Sequence, residues 1–87
     1  MNYILRESFD GKSLSIRPDS SGRIVNAHKT ENKDVGDNIV FLEGRNKLGT
    51  TCKDVWLSSN LDSLIDKGRE ISQQYGLELK LSKQLNL

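Results

Sequence analysis

Two hydrophobic periods divide the chain. Leu61, Leu64, Ile65, Gly68, Ile71 and Tyr75 recur at spacings of three and four, the single apolar stripe of an amphipathic helix. Ser59 with Asp62 three residues on predicts a reciprocal cap at its start. Gly76 predicts its left-handed end, with Leu77 placed to touch Ile71 across the cap. Beyond Gly76 the period becomes two, because Leu77, Leu79 and Leu81 alternate with Glu78, Lys80 and Ser82. That alternation predicts a half-buried strand over Leu77–Leu81.

The first 57 residues supply the sheet on which such a helix can lie. Tyr3–Phe9 and Lys12–Arg17 flank Asp10-Gly11, a strong hairpin signal. Folding there pairs Phe9 with Lys12, Glu7 with Leu14 and Leu5 with Ile16. Tyr3, Leu5, Phe9, Leu14 and Ile16 then share one face, and Arg6, Ser8, Ser13, Ser15 and Arg17 the other. Glu7 is the exception on the apolar face, which suggests a place at the sheet edge. Pro18 and Asp19–Gly22 stop the second strand. Arg23–Lys29 reads as a third strand and the polar run Thr30–Asn38 as an exposed loop. Asn38–Glu43 is the most apolar strand, Gly44–Gly49 a loop, and Thr50–Leu57 a strand leading into the helix. The expected fold is a single α+β domain over residues 1–87. It consists of an antiparallel sheet of four to six strands with one helix on one face, in the order hairpin, meander, helix, C-terminal strand.

This layout exposes a surplus of apolar side chains. One helix covers one face of a sheet, so the other face should be polar. Yet in Ile39-Val40-Phe41-Leu42 and in Val55-Trp56-Leu57 consecutive residues point to opposite faces. With Val55 and Leu57 on the helix, Trp56 points away, accompanied either by Phe41 or by Val40 and Leu42. Three explanations compete: cover by the loop Thr30–Asn38, a homodimer interface, or a surface for another protein.

Charge narrows the classes little. Thirteen Lys+Arg stand against 12 Asp+Glu, which argues against a bulk electrostatic grip on nucleic acid or membrane. One cysteine, Cys52, permits no internal disulfide. No apolar run approaches the roughly 18 residues of a membrane span, and Met1–Ile4 has no signal-peptide layout. A cytoplasmic location is expected.

Candidate chemistry is sparse. Gly44–Thr51 has the glycine spacing of a phosphate-binding loop, but Thr50 stands where the lysine is needed and no helix follows. A glycine-bounded hairpin loop is the better reading. His28 and Cys52, the lone histidine and cysteine, lack a third group to complete a nucleophilic set. They make half a zinc site at most. Asp34, Asp37, Asp54, Asp62 and Asp66 show no calcium-loop spacing. The expectation is therefore a non-enzyme with no cofactor and no metal.

No stretch carries a family signature. The general profile, a short near-neutral α+β chain with an over-apolar sheet, resembles small accessory or inhibitor proteins of bacterial mobile elements, including anti-defence proteins of phages. The two-sided apolar pattern in a sheet with one helix points to a protein-binding module, with an inhibitor or regulator of another protein as the leading expectation, or to a homodimer. Trp56 and Phe41 would be the anchor and Arg6 and Arg17 the polar rim. The alternative is a nucleic-acid-binding domain using Arg6, Lys12, Arg17 and Arg23 around the N-terminal hairpin, a β-ribbon mode of contact.

Overall fold

A computed structural model describes residues 2–8, 10–19, 32–34, 38–42, 46–47, 50–51 and 54–85. The N-terminal hairpin is formed by β1 (Asn2–Glu7) and β2 (Ser13–Asp19). Its register pairs Leu5 with Ile16 and Glu7 with Leu14, as the sequence predicts. Beyond that ladder Ser8 N donates to Ser13 O at 2.8 Å, and Gly11 N to Ser8 O at 3.0 Å. Gly11 has φ 70°, a left-handed conformation that glycine adopts without penalty. The predicted partner Phe9 lies outside the described residues.

Next come β3 (Asn32–Asp34), β4 (Ile39–Leu42), β5 (Asn46–Lys47), β6 (Thr50–Thr51) and β7 (Val55–Ser58). The helix α1 spans Leu61–Tyr75, followed by β8 (Glu78–Leu81) and a 3-10 turn at Lys83–Leu85. The main sheet has six strands in the order β3-β4-β7-β1-β2-β8. The expected α+β class, helix and strand number are thus present. The sheet is mixed rather than wholly antiparallel, because β8 runs parallel to β2. The cause lies in the connection. β7 and β8 are joined by one helix, and a helix that carries the chain back along the sheet returns the next strand in the original direction. The β1–β2 hairpin fills the gap between them.

Two further differences concern local structure. β3 lies inside the run read as an exposed loop and pairs with β4. Its sequence Asn-Lys-Asp has no apolar alternation to announce it, and polar edge strands of this kind discourage further pairing. Asn46–Lys47, inside the stretch read as a loop, and Thr50–Thr51 form a two-stranded ribbon of their own, with Asn46 opposite Thr51 and Lys47 opposite Thr50, so the single strand expected over Thr50–Leu57 is divided between β6 and β7. The predicted third strand Arg23–Lys29 lies outside the described residues.

The helix starts one residue later than predicted. Asn60 rather than Ser59 is the cap, its Oδ1 accepting from Ser63 N at 3.2 Å. Ser58 sets that position: its hydroxyl accepts from Asn60 N at 2.9 Å and donates to Asn38 O at 2.8 Å. Ser58 is buried, so this hydroxyl ties the end of β7, the entry to β4 and the helix start together. Gly76 ends the helix in the left-handed region, its N–H bonded to Ser72 O, and Leu77 N reaches the same carbonyl.

The main core lies between sheet and helix: Leu5, Leu14, Ile16 and Ile39 meet Leu64, Ile65, Ile71 and Leu85. At its centre Gly68 allows the closest approach. A Cβ there would stand 3.1 Å from Leu79 Cδ1, 3.3 Å from Ile16 Cδ1 and 3.5 Å from Leu5 Cδ1. Mid-helix glycine costs about 1 kcal/mol relative to alanine, and this contact accounts for its use.

Gly68→Leu should lower the unfolding free energy by about 2–3 kcal/mol through overpacking. In Gly68→Ala the propensity gain should offset the tightened contacts to within about 1 kcal/mol. Ser58→Ala should cost about 1 kcal/mol, because it removes the hydroxyl that joins Asn38 O to Asn60 N, while exposed Ser59→Ala should change little. Urea unfolding of the four variants checks all three.

Candidate functional site

The ladder pairings show which side chains the helix faces. Leu5 lies opposite Ile16 and Trp56, and Trp56 opposite Phe41. Ile16, Leu5, Trp56 and Phe41 therefore form one row across four strands, on the helix side. Val55 and Leu57 face the other way, the reverse of the orientation assumed from sequence. An apolar triplet satisfies either phase of a strand, so only the packing of its neighbours could settle it.

The apolar residues of β1, β4 and β7 that face away from the helix are buried within the chain itself. Ile4, Leu42 and Val55 are each 1% exposed and Leu57 7%; together they form a second core cluster with Val40 against it. The surplus of apolar residues is thus spent on internal packing. Of the three explanations, this agrees with cover by the chain; the proposed covering loop, Thr30–Asn38, lies largely outside the described residues.

The open feature is on the helix side. Gly68 draws α1 down over β1, β2 and β8, and the aromatic residues of β7 and β4 remain at its flank. Phe41 and Trp56 are half-buried, their ring centroids 5.3 Å apart and the planes tilted by 40°, a favourable aromatic geometry. They border a cleft of about 670 Å³. The sheet side of the cleft carries Glu7, Leu14, Phe41 and Trp56; the helix side carries Lys67, Ile71, Gln74 and Tyr75. Gly11, Asp54 and Leu77 complete the described lining. Tyr75 is 66% exposed: it is the last helical residue, and the stripe it belongs to has run past the sheet. The volume falls in the roughly 300–1,000 Å³ range of ligand-binding clefts, and mixed aromatic and polar lining is typical of them.

Glu7 is not at a sheet edge. β1 is flanked by β7 and β2, so Glu7 stands at the end of an interior strand, on the helix side opposite Leu14. Its Oε1 lies 3.3 Å from where a Cβ on Gly11 would be. Asp54 precedes Val55, the partner of Arg6, and so comes to the same end of the sheet. Lys67 bonds Glu70 at 3.5 Å along the helix.

The sequence-predicted site residues divide between the two faces. Trp56 and Phe41 are together in the cleft. Arg6 pairs with Val55 and Ser15, and Arg17 with Ile4, which places both arginines on the opposite face, away from the aromatic pair. Lys12 is exposed at the hairpin tip; Arg23, His28 and Cys52 lie outside the described residues. Among the described residues no three His, Cys, Asp or Glu side chains gather as a metal site, and no helix is long and apolar enough to cross a membrane. No family model, curated protein or solved structure matches the chain.

Sequence reasoning missed Glu7, Asp54 and Tyr75 as parts of the site. Glu7 had a signal, a carboxylate at an apolar position of the hairpin. Tyr75 had one too, an aromatic on the last turn before a glycine cap.

The hairpin tip beside the cleft is held by Asp10. Ser8 Oγ and Lys12 N both donate to its Oδ1, at 2.5 and 3.0 Å. The Ser8 hydroxyl first, then the Lys12 amide, hold its carboxyl below the ordinary value of 3.8. The folded state therefore gains from ionised Asp10 at every pH above 3.8, and loses that gain as pH falls through the lower folded value. Asp10→Ala should thus be less stable at neutral pH and show a flatter loss of stability below pH 3.8. Urea unfolding as a function of pH reads both.

Proposed function

We propose that this chain is a small non-enzymatic protein-binding module that inhibits or regulates another protein, engaging it through the cleft beside α1. One observation carries the reading: the Phe41–Trp56 pair is left half-buried at the helix flank, in a cleft whose other side bears exposed Tyr75. Aromatic residues in partly desolvated pockets are the usual energetic centres of interfaces. A setting among the accessory proteins of mobile elements, of the anti-defence kind, suits its size and general profile.

A tagged pull-down from bacterial lysate, divided and half treated with nuclease, should give a dominant protein that survives the nuclease. Trp56→Ala should weaken that complex by about 2 kcal/mol or more, roughly 30-fold, with circular dichroism confirming the fold. Tyr75→Ala, at an exposed site with no core contact to lose, should weaken it in the same direction. Unchanged affinity in both variants would remove the cleft from the interface.

Arg6 and Arg17 share one face of the hairpin, and with Lys12 and Arg23 they carry the nucleic-acid alternative. It requires retained partners to vanish on nuclease treatment. It also requires affinity to fall with salt by about 0.7–0.9 of a logarithmic unit per logarithmic unit for each phosphate contacted.

A further inference from the structure

Resting on the cleft as the binding site, we propose that its occupant is a basic segment of the partner protein. A lysine or arginine side chain would be received by Glu7 against the faces of Phe41 and Trp56. Glu7 occupies an apolar position at the end of an interior strand, on the face that packs the helix. A half-buried carboxylate there carries a desolvation cost that a leucine would not. Among the described residues no cation or hydrogen-bond donor meets it. Glu7 does not bond the amides of the hairpin tip; Asp10 and Ser8 do. Its carboxylate is therefore available at the wall of the cleft that also contains the aromatic pair.

The charge balance points the same way. Among the described lining residues Glu7 and Asp54 are acidic and Lys67 alone is basic, and Lys67 is paired with Glu70. Asp54 has an interaction of its own within the chain, so it contributes field rather than an empty acceptor, and Glu7 is the receiving group. A carboxylate beside aromatic rings is the environment that favours a cationic side chain. The ring faces attract the cation, tryptophan most strongly, and the carboxylate takes its hydrogen bonds. Arginine fits best, because its planar group can stack on a ring and bond a carboxylate at once. The cleft volume leaves room for residues on either side of the cation.

The test is a selection of short random displayed peptides on the immobilised full chain. The winners are then measured against wild type, Glu7→Gln, Phe41→Ala and Tyr75→Ala. The proposal expects winners enriched in arginine or lysine, weakened roughly tenfold or more by the near-isosteric Glu7→Gln. They should also be weakened by Phe41→Ala and Tyr75→Ala. Winners without basic residues that still lose affinity in Phe41→Ala and Tyr75→Ala would overturn the cationic occupant and leave the cleft reading standing. Winners indifferent to those two variants, or an absence of winners, would overturn both.

Discussion

The approach of α1 to the sheet at Gly68 governs the rest of the molecule. With only a hydrogen at that position, Leu79, Ile16 and Leu5 can crowd the helix backbone from three strands. Leu64, Ile65 and Ile71 then reach the same layer from the turns around it. A larger residue would lift the helix from β1, β2 and β8. The helix lies over β7, β1, β2 and β8, and Phe41 and Trp56 stay half-buried at its flank.

Much of this was legible in the chain. The hairpin register followed from alternation about Asp10-Gly11, and the helix and its glycine end followed from the three-four spacing and Gly76. Where the pattern was mute, the reason is physical. Asn32–Asp34 pairs with β4 although its sequence carries no apolar alternation, and backbone hydrogen bonding leaves no trace in side-chain type. Val55-Trp56-Leu57 is apolar in both phases, so the face given to Trp56 depended on a second core that no single strand reveals. Asn60 caps the helix in place of Ser59, and the Ser58 hydroxyl that accepts from its amide also bonds Asn38 O, a contact between segments distant in sequence. The parallel direction of β8 was implicit in strand-helix-strand order, and the alternation of Leu77 to Leu81 carries no sign of direction.

Arg6 and Arg17 lie on the face away from the helix, while Glu7 and Asp54 line the cleft on the helix side. Asp19 and Glu78 share the arginine face by the same alternation, and Lys67 lines the cleft, so both faces mix charges of either sign, in line with the net charge of +1.

The insertion of the hairpin between β7 and β8 also bears on how the chain reaches its native state. Ser13 pairs with Glu78, a contact that closes a loop of about three-quarters of the chain, whereas β1 and β2 meet across a short turn. Closing the long loop costs more entropy and yields little until the hairpin supplies the edge on which β8 docks. Loop-closure entropy therefore favours formation of the hairpin ahead of the β2–β8 pairing. Until β8 docks, the outer edge of β2 is unpaired, and pairing with a second molecule there competes with correct closure.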